Sequence, residues 1–274
     1  MDFKPIGVFD SGFGGLSVLK SFMERLPQYD FLYLGDNSRA PYGSKSFETV
    51  YEYTRQCVQY LFAQGCPLVI IACNTASSKA LRTIQQIDLP NWKIPNRVLG
   101  IVRPTAEVIG TFSKMGKIGI LGTEGTINSN SYAIEIQKFF PETKVFQTAC
   151  PVLVPLIEDG DLHSDALFYY VKKYTDQLLE LDNSIDVVLL ACTHYPLIQH
   201  LFEAAVPHGI RVISQGEIVA ESLLDYLQRH YEINSQLSKQ SKQQYLTTDS
   251  PLAFNRKAAL FLGKSVVAQH VLID

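Results

Sequence analysis

The sequence predicts an α/β fold of two pseudo-symmetric, doubly wound, flavodoxin-like domains, each with a parallel sheet, and a ligand cleft between them. Short apolar strands alternate with amphipathic helices along the chain, which is typical of parallel sheets covered by helices on both faces. The pattern restarts near the middle, where residues 116–125 resemble residues 4–12 and Gly119 stands 112 positions after Gly7. Any two parallel-sheet halves look broadly alike, so the repeat fits both a duplication and a simple likeness of architecture.

The first half contains three predicted strands, each followed by a helix. A buried strand over residues 6–9 precedes a helix with apolar residues on one face, and Pro27 ends that helix. The second strand covers residues 31–35 and is followed by a loop and a helix whose apolar positions in 50–62 recur at helical spacing. The third strand is the apolar run within residues 67–73, and another helix follows it from about position 75.

The second half repeats this order of elements. A strand and glycine turn over residues 116–125 open it, and a helix beginning at Asp165 leads into a strand over residues 186–191. A short strand at residues 212–213 and a helix over residues 219–227 follow.

The end of the chain is predicted to return to the first half. Residues 234–244 are rich in Ser, Gln and Lys and are expected to form an exposed connection, and a short helix is expected near residues 254–262. If this tail packs on the first half, the chain crosses between domains twice. The predicted division is a first domain of residues 1–97 plus 210–274 and a second domain of residues 98–209.

Composition excludes several classes of partner. The chain has 274 residues, 46% of them hydrophobic, and 24 basic against 27 acidic residues without a basic block, so nucleic acid is not an expected partner. Apolar runs such as residues 187–191 are too short to cross a bilayer, and no apolar signal region opens the sequence. Five cysteines without framework spacing favour a reducing, cytoplasmic location, and the absence of Cys-x-x-Cys or His-x-x-x-His spacing predicts no metal site.

Two cysteines occupy matched positions. Residues 67–75 and residues 186–194 are both apolar strands that end in Ala-Cys and continue into residues able to form hydrogen bonds. Ligands of open α/β sheets bind at the carboxyl ends of the strands, so Cys73 and Cys192 are candidates for two groups that approach one substrate atom from two sides. A single free cysteine is often only a small buried hydrophobe. That interpretation is preferred for Cys57, Cys66 and Cys150.

The turn after the first strand is open to three compatible interpretations. Asp10 and Ser11 are typical helix caps, because their side chains satisfy free amide groups at helix starts. The glycines after them, beginning with Gly12, resemble an anion-binding loop but lack the usual phosphate-loop spacings. Alternatively, Asp10 lies one strand away from Cys73 and accepts its proton.

Three further candidates have both a structural and a functional interpretation. The polar loop after the second strand contains Tyr42, Gly43 and Ser44. This loop is either a plain turn or a source of hydroxyl and amide donors for a carboxylate. His194 is either a structural histidine or a partner that helps to ionise Cys192. Glu158 follows an apolar run, and the sequence alone leaves it a surface residue.

Several motifs taken together resemble one enzyme family. They are residues 9–16, 35–43, 72–76 and 191–197, supported by residues 122–126 and 248–251. In this set and order the chain is similar to the glutamate racemase family, which makes D-glutamate for peptidoglycan without a cofactor. Related aspartate and hydantoin racemases share the two-cysteine plan but not the full set. Residues 214–216 depart from the family pattern, an acidic residue followed by small ones, and leave the local structure there open.

The resemblance implies specific roles in an interdomain active-site cleft. Cys73 and Cys192 would be the two bases, the first removing the Cα proton of D-glutamate and the second that of L-glutamate. Asp10 would assist Cys73, and Glu158 and His194 would assist Cys192. Substrate contacts would come from Asp10, Ser11, Tyr42, Gly43, Ser44, Asn74, Thr75, Thr123, Thr193 and His194. The resemblance further implies glutamate as the substrate, a homodimer, and neither cofactor nor metal.

The chemistry of racemisation fits these residues independently of the resemblance. Inverting an α-carbon needs one group that removes a proton from one face and another that delivers a proton to the opposite face, and thiols can serve when polar neighbours tune their pKa. Preorganised amides and hydroxyls would stabilise the charge that develops on the substrate carboxylate. The alternatives are an aspartate racemase of the same plan and a non-catalytic cytoplasmic amino-acid-binding protein.

Overall fold

The computed structural model describes residues 3–273. Met1, Asp2 and Asp274 lie outside the described residues, so the start of the predicted N-terminal run into the first strand is not described. The strands are β1 (Ile6–Asp10), β2 (Phe31–Gly35), β3 (Leu68–Ile71), β4 (Arg97–Gly100), β5 (Lys117–Gly122), β6 (Lys144–Ala149), β7 (Val187–Ala191), β8 (Arg211–Ile213), β9 (Gln243–Thr247) and β10 (Ala268–His270).

These strands form two sheets. Sheet A has the order β10-β9-β2-β1-β3-β4, and sheet B has the order β6-β5-β7-β8. Every strand pair in both sheets is parallel. The predicted fold class, two α/β units with parallel sheets, is confirmed.

Helices connect the strands and cover the sheets. They are α1 (Gly15–Arg25), α2 (Phe47–Ala63), α3 (Asn74–Lys79), α4 (Leu81–Thr83), α5 (Leu89–Trp92), α6 (Val102–Ile109), α7 (Glu124–Asn128), α8 (Ser131–Phe139), α9 (Leu153–Asp159), α10 (Asp165–Leu181), α11 (Gln199–Ala205), α12 (Gly216–Arg229), α13 (Tyr231–Asn234) and α14 (Pro251–Leu262). The side chains of Ser46 and Ser164 cap α2 and α10 by accepting a hydrogen bond from the third residue of each helix. Across residues 3–273, none of these helices combines the length and apolarity that a membrane span requires.

The central strand of sheet A shows how the sequence builds a two-sided core. Successive side chains of a strand point to opposite faces, so Val8 and Phe9 of β1 enter different apolar clusters. The cluster around Val8 contains residues of α1, α12 and α14, and the cluster around Phe9 contains residues of α2 and α3. Helices bury the side chains on both faces of β1, which explains why its sequence is a continuous apolar run.

The sheets suggest slightly different crossing points from the predicted domain division. Strand β4, which begins at residue 97, belongs to sheet A, and β8, which ends at residue 213, belongs to sheet B. A division by sheet membership therefore places both crossings a few residues later in the chain than the proposed boundaries at 97/98 and 209/210. Strands β9 and β10 join sheet A beside β2.

The polar stretch over residues 234–244 is largely exposed, with two exceptions. Leu237 and Ser238 are buried, and the last part of the stretch begins β9. Ser238 exchanges hydrogen bonds with the backbone of Lys4, which holds the connection against the start of β1. This connection brings the last two strands of sheet A into place.

Candidate active site

Both candidate thiols lie at the carboxyl ends of parallel strands. Cys73 comes two residues after the end of β3 in sheet A, and Cys192 directly follows β7 in sheet B. They line one cavity of about 100 Å³ between the two sheets.

The wall of the cavity contains most of the predicted site residues. These are Ser11, Tyr42, Gly43, Ser44, Cys73, Asn74, Thr75, Thr123, Cys192, Thr193 and His194. Asp10 and Glu158 are not part of this wall. The sequence analysis did not single out the remaining lining residues, Pro41, Glu124, Pro151, Val154 and Pro155. Pro41, Pro151, Val154 and Pro155 carry no chemical signal that separates a cavity wall from a core. Glu124 lies within the motif at residues 122–126, where it can equally be a polar residue at a helix start.

Cys73 has neutral donors and a buried carboxylate around it. Its Sγ lies 3.4 Å from the Ser11 hydroxyl and accepts the backbone N–H of Ala76 at 3.5 Å. Burial, and then the negative charge of Asp10, raise the pKa of the Cys73 thiol to about 12 despite these donors. In this environment Cys73 is a thiol at neutral pH.

Asp10 is buried and accepts the backbone N–H of Gly12 at 2.8 Å, which is the local turn contact expected of a cap. Burial raises the pKa of the Asp10 carboxyl, and the charge of His194 and the backbone donors of Gly12 and Gly15 only partly oppose that rise. A carboxyl group with a raised pKa is suited to hold a proton near Cys73.

Cys192 has a different partner. His194 Nδ1 lies 3.8 Å from Cys192 Sγ, and His194 Nε2 lies 2.8 Å from Glu158 Oε1. Burial by itself lowers the pKa of His194, but the contacts with Cys192 and Glu158 outweigh it and raise that pKa to about 10. Burial likewise opposes ionisation of Glu158, yet His194 and then Lys257 hold the pKa of Glu158 below its usual value. The imidazolium of His194 is therefore placed to stabilise a thiolate at Cys192.

The loop after β2 offers backbone amides rather than a tyrosine hydroxyl. The Tyr42 hydroxyl donates to Asp36 Oδ2 at 2.5 Å, so it is already committed within the protein. Within the described residues, several backbone N–H groups at the cavity wall donate to no protein acceptor, namely those of Gly43, Ser44, Thr193 and His194. No lysine or arginine lines the cavity. Free amides from both sheets are the groups available there to bind a carboxylate.

The two halves make direct contact around the cavity. The Gly125 N–H donates to the Gly43 carbonyl at 2.8 Å, and the hydroxyls of Thr75 and Thr123 lie 2.8 Å apart. Thr75 and Gly43 belong to the part of the chain that forms sheet A, whereas Thr123 and Gly125 follow β5 of sheet B. These contacts join the two halves beside the cavity.

The absence of a side chain at Gly14 allows Thr193 and His194 to pack closely against the turn before α1. A Cβ atom at Gly14 would lie 2.5 Å from His194 Nδ1 and closer still to Thr193 Oγ1. The Ser17 hydroxyl, one turn further along, donates to the Thr193 carbonyl at 2.8 Å. The glycine-rich turn before α1 therefore leaves the space into which residues 193–194 pack.

Over residues 3–273, no group of three or more His, Cys, Asp or Glu side chains is arranged to hold a metal ion. The expectation of a site without metal or cofactor stays a prediction. The groups present at the cavity are two thiols with different partners, and amide and hydroxyl donors. Such a set can remove and deliver protons at a carbon atom held between the thiols.

Comparison with known proteins identifies close relatives of this arrangement. A family model described as Asp/Glu/hydantoin racemase matches residues 6–223. A glutamate racemase of Geobacter metallireducens is 37% identical over 263 residues, which cover 96% of this chain and 94% of that relative.

Two solved structures are similar over nearly their whole length. The glutamate racemase isoform RacE1 of Bacillus anthracis superposes with a TM-score of 0.89 at 32% identity, covering 98% of this chain and 97% of that one. A glutamate racemase of Francisella tularensis in complex with D-glutamate gives a TM-score of 0.87 at 31% identity, covering 100% and 99%. The likeness therefore extends over both sheets and the cavity between them.

Proposed function

This chain belongs to the Asp/Glu/hydantoin racemase family, and from that premise we propose that it interconverts L-glutamate and D-glutamate by proton transfer at Cα. The observation that carries the proposal is the placement of Cys73 and Cys192 at strand ends of different sheets in the wall of one small cavity. The similarity to glutamate racemases over nearly the full chain supports glutamate as the substrate.

In the proposed reaction each thiol handles one proton. For L-glutamate, Cys192 as a thiolate removes the Cα proton, and the Cys73 thiol delivers its own proton to the opposite face of the carbanion. D-glutamate then leaves with Cys192 as a thiol and Cys73 as a thiolate, which is the starting state for the reverse reaction. One proton is taken and one is given, so no oxidant or reductant is needed.

The neighbours of the two thiols support this division of roles. The His194 imidazolium, oriented by Glu158, stabilises negative charge on Cys192. Asp10, whose pKa is raised by burial, accepts a proton when Cys73 must become the base. The free amides of residues 43–44 and 193–194 bind the substrate carboxylates and stabilise the charge that moves onto the α-carboxylate in the carbanion.

The biological setting is part of the same proposal. D-glutamate produced here would serve peptidoglycan synthesis in the cytoplasm, and the enzyme would work as a homodimer without a cofactor or metal. The near-even charge balance and the small size of the cavity support a small-molecule substrate rather than a polymer.

Circular dichroism with separate solutions of L-glutamate, D-glutamate and L-aspartate tests the function. We expect the signal of each glutamate enantiomer to decay to zero, with the product carrying deuterium at Cα when the solvent is D₂O. Faster loss of the aspartate signal would identify an aspartate racemase instead. Binding heat for glutamate in calorimetry, without any loss of optical signal, would identify a non-catalytic amino-acid-binding protein.

A further inference from the structure

A buried amide behind the cavity contacts one of the proposed substrate-binding residues. Gln215, immediately before α12, is 4% exposed. Its Oε1 accepts a hydrogen bond from Asn74 Nδ2 at 2.9 Å, and its Nε2 donates to Thr105 Oγ1 at 2.9 Å and to the Tyr132 hydroxyl. We call these four residues the Gln215 network.

The hydrogen-bonding partners in the Gln215 network determine which end of each amide is the donor and which is the acceptor. The Thr105 hydroxyl donates to the Ile101 carbonyl at 2.9 Å, so the Thr105 oxygen is left to accept a bond. That requirement places the NH₂ group of Gln215 toward Thr105. The Gln215 carbonyl oxygen must then face Asn74, where it can only accept from an NH₂ group. A backbone carbonyl thus determines which way round both amides sit.

Tyr132 fixes the other end of the Asn74 amide. Its hydroxyl, which accepts from Gln215, donates to Asn74 Oδ1 at 2.5 Å. Both ends of the Asn74 side chain are therefore occupied. An asparagine NH₂ group has two N–H donors, and the bond to Gln215 uses only one of them. Asn74 lines the cavity, so the second donor is available to a ligand there.

The Gln215 network joins the two halves of the molecule. Asn74 opens α3 after β3 of sheet A, while Tyr132 lies on α8 beside the Ile118 and Ile120 side chains of sheet B. Gln215 stands where the chain passes from β8 of sheet B to α12, which packs on sheet A. The orientation of Asn74 thus depends on groups from both sides of the cleft.

We infer that Gln215 is a positioning residue that orients the Asn74 amide toward the substrate. This inference rests on the proposed function, because it assigns Asn74 a contact with glutamate. Sequence reasoning noted residues 214–216 only as a departure from the family pattern that touched no proposed catalytic position. The structure leaves that statement standing and adds a contact between Gln215 and Asn74, a predicted substrate-binding residue.

The Gln215→Met variant tests the inference, because Met has a similar length and no hydrogen-bonding amide. Removing the acceptor leaves the Asn74 NH₂ group free to turn away from the ligand, so we expect KM for both glutamate enantiomers to rise about ten- to hundredfold. A merely structural role would lower thermal stability or the fraction of active sites, and would leave KM unchanged in the enzyme that remains folded.

Gln199→Met is the matched control. Gln199 is half-buried, accepts a hydrogen bond at 2.5 Å from Ser214, the neighbour of Gln215 in sequence, donates to Glu203 at 2.8 Å, and does not line the cavity. We expect its KM to stay within about twofold of the parent value, since the loss of an exposed hydrogen bond away from the site costs little.

A double-mutant cycle distinguishes action through Asn74 from an independent effect. In an Asn74→Ala background, Gln215→Met should add no further rise in KM, because its route of action is gone. Additive effects, or an unchanged KM in either single variant, would overturn the inference.

If Gln215→Met does not fold, Thr105→Val breaks the same network at its far end with little change of shape. The Gln215 NH₂ group also lies 3.4 Å from the Ile101 carbonyl, a long contact that would remain in the variant. We therefore expect Thr105→Val to raise KM about two- to fivefold, less than Gln215→Met, and an unchanged KM would overturn the inference in the same way. Failure of the proposed function would look different, since the parent protein itself would then not racemise glutamate.

Discussion

The two cysteine positions are alike in the fold and unlike in their neighbours. Each thiol follows the carboxyl end of a buried parallel strand, β3 in one sheet and β7 in the other, and each is about one-twentieth exposed. Beside Cys73 lie a serine hydroxyl and the buried carboxyl of Asp10. Beside Cys192 lies an imidazole that is itself held by a carboxylate.

In the proposed reaction, this difference lets one fold hold its two thiols in opposite protonation states. Two acids in one buried site resist double ionisation, so the buried carboxyl of Asp10 favours a proton that stays on Cys73. The His194 imidazolium lies beside Cys192, where in the proposed reaction it offsets the negative charge of the thiolate. Racemisation from L-glutamate needs one group that accepts a proton and one that gives a proton, and two environments of opposite effect provide them.

The largest expected effect comes from removing either thiol. We expect Cys73→Ala and Cys192→Ala each to lower racemisation by on the order of 10²- to 10⁴-fold or more, the contribution of a general acid or base. The two enantiomers have equal free energy in water, so kcat/KM must fall equally in both directions. Circular dichroism measures this loss, and Cys150→Ala is a control at a buried thiol outside the cavity wall.

Deuterium exchange reveals the asymmetry that kcat/KM hides. In D₂O, Cys73→Ala retains the base that faces the Cα proton of L-glutamate, so we expect slow exchange of that enantiomer without inversion. Cys192→Ala should exchange only D-glutamate. Proton NMR of each recovered enantiomer makes the measurement, and exchange of the opposite enantiomer in either variant would reverse the assigned roles.

Sequence reasoning could identify the chemistry and the family because both depend on local motifs. Strands β1, β2 and β7 are apolar runs with clear ends, and the predicted resemblance to racemases is confirmed at the level of the family. The thiols could be predicted because a parallel sheet collects its strand ends at one edge. Their protonation could not, since it depends on groups such as Asp10 and Glu158 that are distant in sequence from the thiols and that only the folded structure brings near them.

The elements that sequence reasoning missed owe their form to neighbouring strands and helices. Strand β9 begins with two glutamines, at the end of a polar stretch that the sequence predicts to be an exposed connection, yet it pairs with β2 along its whole length. No sequence pattern predicts the contacts of Gln215, because its three partners lie 83 to 141 positions away in sequence. Contacts of that kind leave no periodic pattern to read.

A smaller loss of rate is expected from a substitution at Gly14, in the turn against which Thr193 and His194 pack. In Gly14→Ala the new Cβ would meet the side chains of Thr193 and His194, so those residues must move away from Cys192. Displacements of about 1 Å at a catalytic group can cost about 10²-fold in rate, and we expect a loss of that order in kcat.

Gly12→Ala is the matched control for the same turn. A Cβ at Gly12 would find its nearest neighbour, Glu158 Oε1, at 3.7 Å, an ordinary contact distance. We expect Gly12→Ala to keep kcat within a few-fold of the parent, and equal losses in the two variants would show that the turn tolerates no side chain for reasons unrelated to His194.

The rate of alkylation compares the reactivity of the two thiols directly. At pH 7.5, iodoacetamide should modify Cys192 about tenfold faster than Cys73, because the thiolate is the nucleophile and the pKa of Cys73 is raised to about 12. Mass spectrometry of peptides reports both rates in one sample, and Cys57, Cys66 and Cys150 provide buried references. In His194→Asn the two rates should approach each other; preferential labelling of Cys73 in the parent protein would contradict the assignment.

The smallest expected effect is on the free energy of unfolding. It should have opposite signs for substitutions of Asp10, near Cys73, and of Glu158, which contacts His194 near Cys192. The pKa of Asp10 is raised in the folded protein, so folding becomes less favourable as pH rises from about 4 through that pKa, and Asp10→Asn should stabilise the protein at pH 7. The pKa of Glu158 is lowered, so its ion pair with His194 stabilises the fold above about pH 4.5, an effect lost as pH falls, and Glu158→Gln should destabilise it.

Urea unfolding at pH 4 and pH 7 measures both stability changes. We expect each substitution to change the free energy of unfolding at pH 7 by on the order of 0.5–3 kcal/mol. The Asp10→Asn difference should shrink toward pH 4, where the native carboxyl holds a proton, whereas the Glu158→Gln difference should persist near pH 4 and disappear only as pH falls through the lowered pKa of Glu158. Both variants should lose racemase activity, so a gain in stability with a loss of rate is expected only for Asp10→Asn. Shifts of the same sign would mean that the two carboxyls have equivalent environments, and the asymmetry assigned to the thiols would lose its physical basis.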